Sequence, residues 1–266
     1  MKIGGRAYSN GVRLFGENYS VKAYYDKDNK LKYSVSKNKF NQNQLYLTIK
    51  KIPVLRGIIS IIFAFIMLFK EVKRNPKRFW PLILIIVLDL AIESYFLFFS
   101  SNNTGSTFFH STAFYYSAVI ILIITLIVFR FTILKDIFKF HGAEHKAVNY
   151  YQKDQTKTIA PIESLADQSR LARRCGTNLV VITILLLFIA NYLTIPINFY
   201  LATFLAIGVA YEILLLLPNK LLEFPFLLQR FTTIEPEKHH LKAAAAALNI
   251  LLRKERIYIN NNDKEG

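Results

Sequence analysis

The sequence predicts an all-α integral membrane protein: four transmembrane helices, one re-entrant or interfacial helix, and a small N-terminal β-hairpin element on the cytoplasmic face. Three observations predict it. The chain of 266 residues carries 34 Lys and Arg against 18 Asp and Glu, a net charge of +16. Its mean hydropathy is nevertheless positive at +0.27, so charged and apolar residues are segregated along the chain. Four apolar blocks approach or reach the roughly 20 residues that a helix needs to cross a bilayer. The basic residues also avoid two short connectors, 100–112 and 196–198, which contain no Lys or Arg. Basic loops stay inside, so four crossings place every basic segment, and both termini, on the cytoplasmic side.

The elements follow in chain order. Within residues 1–51, Val21–Tyr25 and Leu31–Val35 are rich in β-branched and aromatic residues, and the Asp26–Lys30 segment between them has turn chemistry, which makes a hairpin. Gly4-Gly5 and Asn10-Gly11 mark tight backbone before it. Residues 52–72 form the interfacial or re-entrant helix. The apolar run there, Gly57–Phe69, is short, and a crossing at this point would export the 11 basic residues of segment 1–51. Residues 79–134 hold the first transmembrane hairpin, Phe79–Phe99 and Ala113–Leu134. Residues 135–177 form a cytoplasmic loop. Residues 178–217 hold the second hairpin, Asn178–Ile195 and Phe199–Leu217, and 218–266 carry a cytoplasmic helix, Lys238–Arg253, with five consecutive alanines and a polar tail. Residues 1–30 lack the apolar centre of a cleavable signal.

Composition excludes several classes of function. A single Cys rules out a disulfide framework, and the apolar content rules out disorder. The cations are spread over every cytoplasmic segment and no nucleic-acid module is present, so the expected partner is a bilayer with anionic lipids, not nucleic acid. Asp89 and Glu93, four apart in the first crossing, read either as a proton or cation path or as a pair joining helices. Adjacent His239 and His240 read as a solvated pair, since neighbouring helical side chains point about 100° apart.

The chemistry concentrates in Phe138–Asn149, FKFHGAEHKAVN. His141 and His145 share one helical face with Glu144 beside them, the H-x-x-E-H order in which two imidazoles hold zinc and the carboxylate serves as general base. A third ligand is required. Cys175 follows two arginines and precedes a helix start, both of which favour the thiolate, while Glu212 near the inner end of the fourth crossing is the competitor.

Taken together, Gly4-Gly5-x-Ala7, Pro53-x-x-Arg56-Gly57, HGAEHK at 141–146, Arg174-Cys175-Gly176-Thr177 and Thr232-Thr233-x-Glu235-Pro236 resemble the YqhQ-like family of uncharacterised bacterial membrane proteins. The resemblance runs from about Gly4 to about Leu252. It implies a multi-pass protein of the bacterial plasma membrane and a predicted metal site at His141, Glu144, His145 and Cys175. The chain departs from the family pattern at three positions: Ala172 where a His stands three residues before the Cys, and Asn10 and Lys242 where acidic residues stand. The expected function is a metal-dependent, zinc hydrolase at the cytoplasmic membrane interface. The alternatives are a non-catalytic factor assisting assembly or quality control of a membrane-protein partner and, third, an ion- or proton-coupled transporter.

Overall fold

In the computed structural model, residues 1, 3–38, 48–74, 127, 130–131, 134–156, 158–195 and 197–262 are described. Alternation of apolar and polar residues builds the first layer. Four strands, β1 (Gly4–Tyr8), β2 (Gly11–Phe15), β3 (Tyr19–Tyr25) and β4 (Leu31–Lys37), pair as an antiparallel meander in the order β1-β2-β3-β4. The register sets Gly5, Leu14, Val21 and Val35 in one row and Arg6, Arg13, Lys22 and Ser34 in the next. Because side chains alternate along a strand, the first row faces the core and the second faces away. Gly11 is required where the sheet is tightest, since a Cβ there would lie 2.1 Å from the Ala23 carbonyl oxygen. In the β3–β4 turn, Asn29 takes the left-handed conformation at φ 56°. The Asp26 carboxylate accepts bonds from the Asp28 and Lys30 amides at 3.0 and 2.9 Å.

Helices α2 (Lys135–Lys153) and α7 (Lys238–Asn262) cover the inner face of the sheet. Their apolar residues recur at helical spacing: Phe140, Ala143, Ala147, Tyr150 and Tyr151 on α2, and Leu241, Ala244, Leu248, Leu251 and Leu252 on α7. These join Val12, Leu14, Val21 and Ala23 in one core. The alanine run of α7 has a packing reason, because Ala243, Ala244, Ala245 and Ala247 are all buried where larger side chains would hold the helix away. Glu255 on α7 accepts bonds from the Asn18 and Tyr19 amides and the Asn18 side chain, each at 2.8 Å, fastening the helix to the β2–β3 turn.

The remaining described elements are α1 (Leu55–Arg74), the short α3 (Ile162–Ala166), α4 (Gly176–Tyr192), α5 (Phe199–Leu216), a 3₁₀ turn at Asn219–Leu222 and α6 (Glu223–Thr232). The chain divides into two compact units, residues 1–58 with 129–266, and residues 59–128. The described part of the second unit is the stretch of α1 from Ile59 to Arg74, on which Ile62, Ile66 and Phe69 are exposed.

This architecture corrects the expected class. Among the described residues no helix is long and apolar enough to cross a membrane, and a four-stranded sheet packed against helices replaces the all-α multi-pass design. The multi-pass plasma-membrane localisation is therefore corrected: no helix among the described residues is long and apolar enough to cross a membrane. The physical reason lies in length and in polar commitments. The Asn178–Ile195 block forms α4, whose 17 residues span about 25 Å, and its first turns bury Asn178 and Thr183. The Phe199–Leu217 block forms α5, whose 18 residues span about 27 Å and carry the ion-paired Glu212. Both fall short of about 30 Å of hydrocarbon, and the two helices pack on each other. Phe79–Phe99, with Asp89 and Glu93, lies outside the described residues, as does most of Ala113–Leu134. At the N-terminal end, the two runs read as a hairpin are β3 and β4, while the Gly-Gly and Asn-Gly segments belong to β1, the β1–β2 turn and β2.

Candidate metal centre

Helix α2 supplies three of the site's side chains: His141 and His145, one turn apart, share a face, and Glu144 beside them reaches under β1 at Gly5. The imidazoles of His141 and His145 lie with ring centroids 4.3 Å apart. Each Nδ1 faces a backbone carbonyl, Thr232 O at 3.1 Å for His141 and Arg170 O at 2.7 Å for His145. A carbonyl only accepts, so each ring donates from Nδ1 and turns its Nε2 to the interior. Gly142 between them allows the approach of the 232–236 segment, for its Cβ would lie 2.3 Å from the Ile234 carbonyl oxygen.

The sulfur arrives from the loop before α4. Cys175 is 5% exposed and holds the N-cap position, with its carbonyl accepting from the Asn178 and Leu179 amides. Two buried amides fix that loop. Asn178 Nδ2 donates to the carbonyls of Ala172 and Arg173 at 3.0 and 3.1 Å. Gln229 of α6 donates to Ala172 O at 3.1 Å and accepts from Ala172 N at 3.3 Å. Cys175 Sγ then stands 3.6 Å from His141 Nε2. One ligand atom from each of His141, His145 and Cys175 lies within 4.8 Å of the others.

Glu144 is 5% exposed, with Oε2 3.5 Å from His145 Nε2. β1 lies directly over it, and a Cβ on Gly5 would fall 2.2 Å from Glu144 Oε1. Charges interlock in this dry setting. Burial raises the Glu144 pKa above the ordinary carboxylate value, against the pull of the two imidazoles. Burial draws His145 toward its neutral form, but the Glu144 carboxylate and the Cys175 sulfur outweigh it and hold its pKa at about 9. Burial alone would raise the Cys175 thiol, yet hydrogen bonds and charge from both imidazoles keep it well below the usual thiol value.

The donor set passes a test of fit to zinc. Tetrahedral coordination with Zn–N near 2.05 Å and Zn–S near 2.3 Å puts nitrogen and sulfur about 3.6 Å apart, the separation found between His141 and Cys175. Ring N–H groups directed to backbone carbonyls are the usual outer-shell arrangement of ligating histidines, and the thiol is already biased to its ligating form.

Glu212 stands elsewhere. It accepts from Arg56 Nε at 2.7 Å, from Arg56 Nη2, and from the Val54 amide at 3.0 Å. Arg56 chiefly lowers its pKa. The segment it holds has Val54 at φ 69°, a left-handed conformation rare for a β-branched residue, packed over Gly208. Of the three departure positions, Ala172 supplies only its backbone to the Gln229 clamp, Asn10 bonds the Tyr25 carbonyl in the β1–β2 turn, and Lys242 is exposed on α7. Sequence reasoning missed Gly5, Gln229 and Asn178. Gly5 alone left a signal, the Gly-Gly pair, and it was readable only as tight backbone. His239 and His240 are not a solvated pair: their ring centroids are 3.7 Å apart and His240 is fully buried.

The architecture is a four-stranded sheet carrying two helices, with an H-x-x-E-H helix facing the cysteine at the N-cap of α4. Residues 29–254 match the family described as Protein of unknown function (DUF1385), and the chain belongs to that family. It is a YqhQ-like member: it is 34% identical over 146 residues to the uncharacterized protein YqhQ of Bacillus subtilis (strain 168), across 48% of this chain and 44% of that protein. The match thus spans less than half the length of that relative. No solved structure matches the chain.

Proposed function

We propose that the chain is a zinc-dependent hydrolase in which His141, His145 and Cys175 hold the metal and Glu144 is the general base. The observation that carries this reading is the convergence of three donor atoms, from buried His145 and Cys175 and half-buried His141, within 4.8 Å of one another. Three protein ligands is the number typical of catalytic zinc, whereas closed structural sites use four. Zinc bound there supplies Lewis acidity and a fixed positive charge. The chain's own groups do the rest. The Thr232 and Arg170 carbonyls hold the two rings in the tautomer that leaves Nε2 as the donor. Glu144, with its raised pKa, takes a proton from the attacking water at its carboxylate and returns it to the leaving group. Its burial beneath β1 excludes bulk water from that exchange.

Metal analysis of the purified chain tests the reading. It requires zinc at this site that is lost in His141→Ala and in Cys175→Ala and retained in Glu144→Gln. Zinc retained by the folded Cys175→Ala variant at wild-type affinity would remove the third ligand. A folded, stable protein that takes up no zinc at micromolar metal would leave the cluster as a hydrogen-bonded fastening between α2 and α4.

A further inference from the structure

A second group of metal-ligating side chains lies at the start of α7, outside the centre described above. Glu237, His239 and His240 each offer a ligand atom within 4.8 Å of the others. The Glu237 carboxylate divides its oxygens: Oε1 pairs with Lys139, while Oε2 lies 3.7 Å from His239 Nδ1. His240 carries the more telling feature. Its side chain is 0% exposed, and its Nε2 has no hydrogen-bond partner among the described residues. A buried polar nitrogen left in that state costs about 1–3 kcal/mol and calls for a bound water or ion. The nearest carboxylate oxygen, Asp136 Oδ1 on α2, stands 4.0 Å away, too far for a hydrogen bond.

We propose that Glu237, His239 and His240, with Asp136 as a further oxygen donor from α2, form a second binding site for a divalent transition metal of the zinc class. Two imidazoles and carboxylate oxygens are the donor set that Zn²⁺, Co²⁺ and Ni²⁺ share. Burial, reinforced by His239, keeps His240 neutral at physiological pH with a pKa of about 4, so protons do not compete for its lone pair. Ligation through Nε2 moves the ring proton to Nδ1 and gives up the contact from the Glu237 amide, which at 3.3 Å is a long one. Lys139 and the positive end of the α7 dipole oppose a cation here, and Asp136 and Glu237 offset them. The second site is therefore the weaker of the two. A metal there ties α7 to α2, the helix that carries HGAEH, and the site owes nothing to the hydrolase reading.

Titration with Zn²⁺ and Co²⁺ alone tests the proposal on the full chain. Wild-type protein takes up two equivalents, and only the tighter gives the thiolate-to-cobalt charge-transfer band of a Cys ligand. His239→Ala and Glu237→Gln, both at half-exposed or exposed side chains, keep the first equivalent with its band and weaken the second at least tenfold. Cys175→Ser abolishes the band and leaves the second equivalent in place, so failure of one site is distinguishable from failure of the other. Cys175→Ser protein that takes up no Co²⁺ at millimolar metal, or a band-free equivalent unchanged in both His239→Ala and Glu237→Gln, overturns the proposal.

Discussion

Gly5 and Glu144 show how much of the site rests on a single missing methyl group. Gly5→Ala would set a Cβ 2.2 Å from the Glu144 carboxylate, and overpacking of this kind costs about 1–3 kcal/mol. Urea unfolding of Gly5→Ala, Glu144→Ala and the double variant forms a cycle. The expected result is strong non-additivity, with the double variant recovering most of the Gly5→Ala loss because the clashing carboxylate is gone. Glu212 has a different expectation. Glu212→Ala leaves the Val54 amide and the Arg56 guanidinium without their shared acceptor, at a cost of about 1–2 kcal/mol, and zinc content stays at the wild-type level. Zinc lost from the folded Glu212→Ala protein would return that carboxylate to the ligand set. His145 sets a pH dependence. Its folded pKa, about 9, lies above the ordinary 6.5, so its contribution to the stability of metal-free protein is full below pH 6.5 and lost as pH rises through 9. The difference in urea midpoint between wild type and His145→Gln should shrink across that window.

At the scale of elements, α2 and α7 hold the sheet and the candidate centre in one body. Leu248 on α7 is fully buried against the sheet core, so Leu248→Ala should destabilise by about 2–5 kcal/mol, whereas a polar substitution at the exposed Ile259 should cost under about 0.5 kcal/mol. Element-level pattern was also what the sequence made most legible. The i, i+4 spacing of His141 and His145 needs only a helix, and the β-branched and aromatic runs Val21–Tyr25 and Leu31–Val35 need only the turn at Asp26–Lys30 between strands. β1 and β2 were harder to read because their glycines serve contacts with Glu144 and Ala23, which no local pattern records. The approach of Cys175 to His141 spans 34 positions, so no local pattern records it. The loop before α4 is positioned by Asn178 and Gln229. Gln229 acts 57 positions from Ala172 and 84 from His145, so no window of sequence contains the interaction.

Among the described residues of the whole molecule, apolar content did not translate into a helix long and apolar enough to cross a bilayer. The blocks at 178–195 and 199–217 are apolar along nearly their full length, yet they end as helices of 17 and 18 residues packed on each other, with an ion pair at Glu212 and a buried amide at Asn178. The basic character is similarly placed by the fold: Arg6, Arg13 and Lys22 line up across β1, β2 and β3 on the face that α2 and α7 leave uncovered. What unites these levels is the claim that sheet, α2 and the loop before α4 are arranged to present two imidazoles and one thiolate to a single ion. X-ray absorption at the zinc edge tests it most directly, on the His239→Ala protein so that one site is occupied. The account predicts one sulfur at about 2.3 Å and nitrogen or oxygen neighbours, two of them imidazoles, at about 2.0–2.1 Å. A spectrum with no sulfur neighbour, or with sulfur but no imidazole scattering, would contradict it.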